Sequence, residues 1–208
     1  MKYAIIDTET SGLFDFSKPA DADGQPRLAS LSMILLNEQD EEHTIDFYVK
    51  PDGWTLGEEA AAVNGLTMEV LETHGVPVAD VLDAYVKTID DGYVIVAFNS
   101  QFDTKVMRGE LRRAEIDDRF ERTPTICCMR ASTDIVRVPR KSGKGFKFPN
   151  LGEACEYFGI VLEGAHTASG DARGCLEIFR KLRDLGKLPA PNVFYAKTSP
   201  EKSGAEAA

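Results

Sequence analysis

The first apolar run of the chain is short and leads directly into two acids. Residues 3–6 read Tyr-Ala-Ile-Ile, and Asp7 and Glu9 follow with one residue between them. The run predicts a strand, and because successive side chains of a strand point to opposite faces, positions 7 and 9 share a face. Two like charges on a partly buried surface are unfavourable unless one carboxylate takes up a proton or a cation binds between them. The pattern therefore predicts a neutralising group at the end of the first strand.

The rest of the pattern predicts strands first and helices later. A polar, turn-rich segment at 17–26 precedes predicted strands at 28–36 and 44–49, so the first three strands should form an antiparallel meander. The fully apolar run at 93–98 is typical of a central strand covered on both faces. Apolar residues at helical spacing predict the remaining elements as helices: 56–64, 67–74, 78–89, 101–114 (with Asn99 or Ser100 as its cap), about 125–135, 150–158 and 171–185. This order favours an α/β fold, a mixed β-sheet flanked by α-helices.

Length and composition fit one domain with a short tail. The chain has 208 residues, 43% of them hydrophobic, which suffices for one core of ordinary size. We assign residues 1–185 to this domain. From Gly186 onward the Pro, Lys, Ser and Ala content predicts a flexible C-terminal tail, 186–208.

The charge balance restricts how the chain can meet an anionic partner. It has 34 acidic and 24 basic residues, a formal charge of −10, so the molecule as a whole should repel nucleic acid and anionic membrane. An anionic substrate must therefore be met by a local basic patch or by bound metal. A basic face is predicted on helix 101–114, from Lys105, Arg108, Arg112 and Arg113. No long apolar segment is present, which predicts a cytoplasmic or nucleoid-associated protein with no membrane partner.

The cysteine pattern does not indicate a structural metal site. Cys127, Cys128, Cys155 and Cys175 include no CxxC pair, and no histidine stands at zinc-finger spacing. We expect buried, reduced thiols that act as small hydrophobic side chains.

Two more acids stand near the predicted starts of helices. Asp103 lies just beyond the central strand and Asp171 lies near the start of the last helix. Either alone has a structural explanation, because an acid in the first helical turn interacts favourably with the helix dipole, and Ser100 with Asp103 has capping-box spacing. Together with Asp7 and Glu9, however, they supply the hard oxygen ligands that Mg²⁺ and Mn²⁺ prefer. Four carboxylates can hold two divalent ions roughly 4 Å apart, the spacing that suits phosphoryl displacement.

His166 is the histidine best placed for catalysis. It precedes Asp171 by five residues with Ser169 and Gly170 between them, so it should lie on the loop before the helix and be able to turn toward the metals. A group that titrates near neutrality suits a general base that deprotonates water. His43, in an acidic turn, and His74, at a helix end, have no such context.

Three motifs resemble the DEDD superfamily of 3′→5′ exonucleases, histidine subclass (DEDDh). They are DTETSGL at 7–13, FNSQFD at 98–103 and HTASGDA at 166–172, and the resemblance extends from about Tyr3 to Leu185. Three spaced motifs are a strong signal, whereas DTET alone would be weak. The resemblance implies a ribonuclease H-like fold and hydrolysis, with two divalent cations, of the terminal phosphodiester at a nucleic-acid 3′ end. Nucleoside monophosphates would be released.

The resemblance also implies roles for individual residues. Asp7 would bridge both metal ions, Glu9 and Asp171 would complete one site, and Asp103 would hold the other, partly through water. His166 would be the base. The terminal nucleotide would be held by the remaining matched positions: Thr10, Leu13, Asn99 and Phe102.

The chain departs from the family pattern at two positions. The second motif usually begins with His where this chain has Phe98, and the family's His-Gly-Ile-Thr segment is matched by residues 64–67, Asn-Gly-Leu-Thr. Neither change removes a metal ligand, so contacts to the terminal nucleotide rather than hydrolysis should differ.

Several functional alternatives remain open from sequence. We expect single-stranded or frayed DNA as substrate, and an RNA-directed exonuclease is the alternative. A non-catalytic module that binds a nucleic-acid end or a polymerase is disfavoured, since no ligand is lost. The basic loop from Arg137 to Lys147, with Phe146 within it and Phe148 just after it, could carry the strand behind the scissile end. A proofreading or repair role would require a polymerase or repair partner, with the tail as its tether.

Overall fold

The computed structural model describes residues 1–193. Within this range five strands form one mixed sheet in the order β3-β2-β1-β4-β5. The strands are β1 (Tyr3–Thr10), β2 (Leu28–Leu36), β3 (Glu42–Tyr48), β4 (Val94–Ala97) and β5 (Thr125–Cys127). The helices are α1 (Glu58–Asn64), α2 (Met68–His74), α3 (Val78–Asp90), α4 (Ser100–Arg113), α5 (Cys128–Val136), α6 (Leu151–Phe158) and α7 (Ala168–Asp184).

Among the described residues, the acidic half of β1 has no paired strand along the edge that faces β4. β1, β2 and β3 pair antiparallel, which confirms the predicted meander. β1 and β4 pair in parallel, but only from Tyr3 opposite Val94 to Ile5 opposite Val96. β1 continues to Thr10 while β4 stops at Ala97, so the acidic half of β1 extends beyond the end of its neighbour. This offset creates the space into which the first turn of α4 places its side chains.

Each face of the sheet has its own hydrophobic core. Alternation along β1 directs Ile5 into one core, where it joins Leu176 and Phe179 of α7. It directs Ala4 and Ile6 into the other, where Met107 of α4 packs. All four residues of β4 are buried, which confirms that the apolar run at 93–98 forms a central strand.

Two predicted helix boundaries were wrong. Residues 125–127, expected to begin a helix, form β5 in parallel with β4, and α5 starts only at Cys128. A short apolar run that continues into a helix carries no period of its own, so pattern alone cannot separate the two elements. α7 begins at Ala168 instead of 171, because the Thr167 hydroxyl accepts a hydrogen bond from the Gly170 N–H and caps the helix earlier.

The C-terminal end of the described range returns to the sheet. Asn192 exchanges two backbone hydrogen bonds of 2.9 Å with Thr125 of β5. The predicted tail, 186–208, therefore begins with residues that contact the domain, and its remainder, 194–208, lies outside the described residues. The four cysteines are free and buried, as expected. No helix in the described range is long and apolar enough to cross a membrane.

Candidate active site

Three carboxylates converge at the end of β1. Asp7 and Glu9 project from the same face of the strand, as the alternation predicts, and Asp171 projects toward them from the first turn of α7. One oxygen atom from each lies within 4.8 Å of the others. Two of the ligands come from a strand and one from a helix that packs on the same face, so the cluster depends on the sheet–helix contact.

Asp103 reaches the same place from the opposite face of the sheet. It lies in the first turn of α4 with its side chain 3% exposed. Its Oδ1 accepts hydrogen bonds from the backbone N–H of Thr8 (3.0 Å) and from the Thr8 hydroxyl (2.9 Å). The suggested capping role with Ser100 is therefore wrong: Asn99 occupies the N-cap without a side-chain capping bond, and the buried Ser100 hydroxyl has no partner. Asp103 is bonded to β1 instead.

Burial raises the pKa of all four carboxylates, and neighbouring acids add to the effect at Asp7, Glu9 and Asp103. Burial is the main cause for Asp7, whose pKa is well above its usual range, and the charges of Asp103, Asp171 and Glu9 add to the effect. Burial, then Asp171 and Asp103, raise the pKa of Glu9 to about 7. Burial also raises the pKa of Asp103 to about 7, against the hydrogen bonds from Thr8, and raises that of Asp171. The positive charge near the cluster is therefore too small to offset the burial and repulsion of these carboxylates.

The donor set fits hard divalent cations. Carboxylate oxygens are the ligands that Mg²⁺ and Mn²⁺ prefer. A bound cation would relieve the repulsion that raises these pKa values, since an opposite charge favours the ionised form. Asp7, Glu9 and Asp171 form the tight group, and Asp103 lies beside it with one oxygen already bonded to Thr8. The tight group of Asp7, Glu9 and Asp171 could therefore hold a metal ion.

His166 lies on the loop before α7, as its spacing predicts. Its backbone has a positive φ of 65°, which is uncommon for a residue other than glycine. In this conformation its backbone N–H donates to Asp171 Oδ1 at 3.1 Å. The residue is exposed and lines the same cavity as the carboxylates. Its imidazole can therefore reach a group bound above them.

A cavity of about 200 Å³ lies over the cluster. Of the four predicted substrate-binding residues, Asn99 and Phe102 line it. Leu13 is 85% exposed, so it is not a core residue, and it does not line the cavity. Thr10 is buried at the end of β1, where its hydroxyl donates to the Gly12 carbonyl oxygen. The structure thus brings two of the four to the cavity itself.

Sequence reasoning gave no role to several residues that shape this site. Thr8 fixes Asp103, while Val63 and Leu151 line the cavity. Asn64 is buried, donates to the Thr10 carbonyl oxygen at 3.4 Å and hydrogen-bonds Glu9, which lowers the pKa of Glu9. Asn64 and Phe98, the two departures from the family pattern, both lie at this site, so the mismatches in the motifs were themselves a usable signal.

The family comparison agrees with this geometry. Residues 4–179 match the model of the RNase T family, which is described as exonuclease. The match confirms the family resemblance inferred from the three motifs. No curated protein sequence matches the chain.

Solved structures share the fold at low sequence identity. Escherichia coli exonuclease I in complex with a dT13 oligonucleotide has a TM-score of 0.70 and 18% identity, covering 88% of this chain and 41% of that one. The nuclease domain of 3′hExo, a DEDDh family member bound to rAMP, has a TM-score of 0.70 and 18% identity, covering 92% and 96%. Cell-death related nuclease 4 (CRN-4) has a TM-score of 0.68 and 18% identity, covering 91% and 66%. These likenesses confirm the ribonuclease H-like fold, and the chain spans less than half the length of exonuclease I.

The close contact between Gly170 and the preceding loop holds His166 in its position. A Cβ at Gly170 would lie 2.0 Å from the Gly164 carbonyl oxygen, so Gly170→Ala must push the loop that carries His166 away from α7. Displacing a catalytic group by about 1 Å can lower the rate roughly 100-fold. We expect kcat for oligonucleotide hydrolysis to fall by about that factor while the circular dichroism spectrum stays unchanged.

Gly152→Ala is the matched control for this substitution. Its Cβ would meet only Asn150 Oδ1 at 3.5 Å, an ordinary contact, so kcat should stay within about twofold of the parent. Equal losses of kcat in the two variants would contradict the proposed role of the Gly170–Gly164 contact.

The raised pKa values also predict how stability depends on pH without metal. Glu9 and Asp103 have pKa values of about 7 in the folded chain, above those of unfolded carboxyls, so the folded state binds protons more tightly. Their contribution to stability is present at low pH and is lost as the pH rises through about 7. In EDTA, the melting temperature should therefore rise by a few degrees on going from about pH 8 to about pH 6.

Two comparisons isolate the cluster from other titrating groups. Asp103→Asn removes one titrating group and should reduce the pH-dependent change in melting temperature. Saturating Mg²⁺ or Mn²⁺ should raise the melting temperature most at the higher pH, because the cation replaces the proton. A metal-independent melting temperature at every pH would rule out a cation site at these carboxylates.

Proposed function

The chain belongs to the RNase T family of exonucleases, and from this membership we propose that it removes nucleotides from the 3′ end of DNA. The substrate would be a single-stranded or frayed end, and the product a nucleoside monophosphate. The observation that carries the proposal is the convergence of Asp7, Glu9 and Asp171, with oxygens within 4.8 Å, beside His166 in one cavity. A binding module without catalysis would not need a complete set of these groups.

The carboxylates have separate positions in the proposed reaction. Glu9, Asp171 and Asp7 would hold one Mg²⁺ or Mn²⁺ ion, and Asp7 with Asp103 the second. The two ions would supply positive charge at the attacking and leaving oxygens and lower the pKa of the attacking water. Thr8 keeps Asp103 in place through two hydrogen bonds, so little reorganisation is needed when substrate binds.

His166 would accept the proton of the attacking water. It is exposed, its backbone N–H donates to Asp171 Oδ1, and it lines the same cavity as the carboxylates. Histidine is the side chain that most often serves as a general base in enzymes. In this account, replacing it removes the base but leaves the cation site.

The terminal nucleotide would occupy the cavity over the cluster. Phe102 and Asn99 line that cavity, and Leu13, which is largely exposed, lies on the loop after β1 where it could cover the base. Thr10 would contribute through its backbone, since its hydroxyl is bonded to Gly12. An apolar wedge of this kind contacts base and sugar without reading sequence.

DNA is the substrate we favour, and RNA is the alternative. Exonuclease I, whose fold the chain shares, was solved with a DNA oligonucleotide. Similar folds also occur in 3′hExo bound to rAMP and in a 3′-exonuclease that recognises a histone mRNA stem-loop. A direct comparison of the two polymers is therefore the central assay.

Metal-dependent shortening from a free 3′ end is the expected activity. Single-stranded DNA and RNA of the same sequence, with free or blocked 3′ ends, would be incubated with Mg²⁺, Mn²⁺ or EDTA. We expect shortening only of free ends and only with metal, faster for DNA. Asp7→Ala should lower the rate about a thousandfold, because losing several kcal/mol of transition-state stabilisation costs tenfold for every 1.4 kcal/mol.

Glu72→Ala is the control for this loss, since it removes an exposed carboxylate of α2 that lies away from the cavity. Its rate should equal that of the parent. Faster cleavage of RNA would replace DNA by RNA as the substrate class. No cleavage of either polymer by folded, metal-loaded protein would refute the proposed activity.

We further propose that the segment after the domain tethers the nuclease to a polymerase or repair partner. Composition alone supports this, and Asn192 pairs with Thr125, so a test must retain residues up to 193. Removing residues 194–208 should leave hydrolysis unchanged and reduce co-purification of polymerase subunits from extracts of the cells that produce the protein. Equal co-purification by the truncated and intact chains would exclude these residues as the tether.

A further inference from the structure

A second cavity, of about 250 Å³, lies on α4 next to the active site. Its walls are α4, residues 16–20, Phe120 and one residue of α5. Five of its lining side chains are cationic and none of the described residues that line it is acidic; the cations are Lys18, Lys105, Arg108, Arg112 and Arg130. On a chain with a net charge of −10, this is a concentrated patch of the opposite sign.

The cations of α4 are fixed in place but only partly neutralised. Asp118 accepts from Arg112 Nε at 2.7 Å and from Arg108 Nε at 3.3 Å. Arg112 also pairs with Asp21 at 3.7 Å, so two carboxylates serve these two guanidinium groups. Lys105 Nζ donates to two backbone carbonyl oxygens, those of Asp15 (3.1 Å) and Lys18 (3.0 Å). Carbonyl groups orient the ammonium without cancelling its charge. The cavity therefore retains positive charge in a defined geometry.

The two cations at the rim are more weakly held. Lys18 pairs with Asp15 at 3.4 Å, with both side chains substantially exposed, and such pairs contribute little. Arg130 donates to the Gln101 side chain at 3.4 Å and lies 5.2 Å from the centre of the Phe148 ring. Both can turn toward an anionic ligand at small cost.

The two cavities lie along the same helix, α4. Asn99, Phe102 and Asp103 face the catalytic cavity, while Lys105 and Arg108, on the next turns, face the cationic one. Arg108 lies five residues beyond Asp103, roughly 8 Å further along the helix axis. Between the two cavities the Phe102 ring packs against Phe14 and Phe16, with centroids 6.1 and 6.3 Å away.

The loop that forms the outer wall is closely docked on the helix. A Cβ on Gly109 would lie 2.6 Å from the Ala20 carbonyl oxygen, so only glycine permits this approach. Phe16, on the same loop, is 51% exposed and presents its ring at the edge of the cavity. A cationic groove with an exposed aromatic ring is the combination that tracks a single strand by phosphate contacts and base stacking.

We infer that this cationic cavity binds the phosphates of the substrate strand on the 5′ side of the scissile nucleotide. This inference rests on the proposed exonuclease function. The strand would pass from the catalytic cavity over the Phe14–Phe16–Phe102 cluster. Its phosphates would first contact Lys18 and Arg130 at the rim of the cationic cavity and then the cations on α4. The ligand is defined by its chemistry: successive phosphodiesters of one strand, with bases able to stack.

The basic loop at 137–147 is a weaker candidate for this path. Lys147 binds both carboxylate oxygens of Glu153, at 2.7 and 2.8 Å. Arg140 and Arg137 donate to the carbonyl oxygens of Phe146 and Asp134. Lys141 and Lys144 are exposed on the turn of this loop and do not line either cavity. Within the described residues, only Lys147 of this loop is neutralised by a carboxylate, but none of the loop's cations lines either cavity, which makes the loop the weaker candidate.

Charge reversal at the rim tests the inference. Lys18→Glu with Arg130→Glu removes the two cations that have the least structural role. Lys181→Glu with Lys187→Glu is the matched control, with the same change in net charge on exposed residues at the opposite end of α7 and just beyond it. Lys141→Glu with Lys144→Glu tests the basic loop in the same way. All three pairs would be confirmed as folded by circular dichroism.

Equilibrium binding gives the first readout. The probe is fluorescent single-stranded oligothymidylate, and all variants carry Asp7→Ala so that the probe is not degraded. Each single-strand phosphate contact contributes about 0.7 to the slope of log affinity against log salt. The rim pair should therefore lower that slope by about 1.4, and the neutral pair Lys18→Ala with Arg130→Ala should lower it in the same direction. The control pair should not change it.

Hydrolysis gives the second readout, in chains that retain Asp7. Thymidine 5′-p-nitrophenyl phosphate has the scissile phosphate but no further nucleotide or phosphate on its 5′ side, so it reports on the catalytic cavity alone. For the rim pair, the ratio of kcat/KM on oligothymidylate to kcat/KM on this ester should fall about tenfold, through KM. If the parent hydrolyses neither substrate, the proposed function fails, whereas the binding slopes still test the cavity.

Any of four results would overturn the inference. One is an unchanged salt slope in the rim pair, and another is an equal change in the control pair, which would reduce the effect to net charge. The third is a loss confined to the Lys141–Lys144 pair, which would place the strand on the basic loop. Failure of the parent to bind oligothymidylate at any salt concentration would also exclude a strand site in this cavity.

Discussion

Repulsion among partly buried carboxylates is the constraint around which this domain is arranged. Asp7, Glu9 and Asp171 bring oxygens within 4.8 Å; burial raises the pKa of each, and repulsion from neighbouring carboxylates adds to the effect at Asp7 and Glu9. No single element could hold such a cluster, because each side chain would turn toward solvent to escape the others. The fold prevents this by bringing acids from a strand and from helices on both of its faces. Each acid is anchored by the hydrophobic packing of its own element.

The offset between β1 and β4 makes this arrangement possible. β4 pairs with β1 only as far as Ile5 opposite Val96, so α4 begins beside the acidic half of β1. Thr8 points away from the Asp7 face, and its hydroxyl and N–H fix Asp103 from the other side. Had β4 been longer, the first turn of α4 would have lain beyond Asp7. The length of one strand therefore determines whether the fourth acid can reach the cluster.

α4 contributes to two neighbouring surfaces of opposite charge. Its first turn contributes an acid to the catalytic cavity, and its next turns contribute cations to the adjoining one. An acidic protein must attract an anionic strand locally, because its overall field repels it. In our proposals, cations near Asp103 would hold the strand, and metal ions would offset the carboxylates at the scissile bond. Both surfaces share one rigid helix, so their separation would be constant.

The sequence by itself determined the alternating faces of β1, the antiparallel meander, the buried central strand and the loop position of His166. These depend on periods of two or 3.6 residues and on local spacing, which a chain carries without its tertiary structure. It also supplied the three motifs that identify the family.

Only the tertiary structure decided that β5 is a strand, since three residues have no readable period. It also decided that Asp103 bonds Thr8 instead of capping its own helix, and that Asn64 supports Glu9. The cationic cavity likewise became visible only when residues 16–20 docked on α4 against Gly109. Contacts between segments far apart in sequence depend on which surfaces pack together, and no local pattern contains that information.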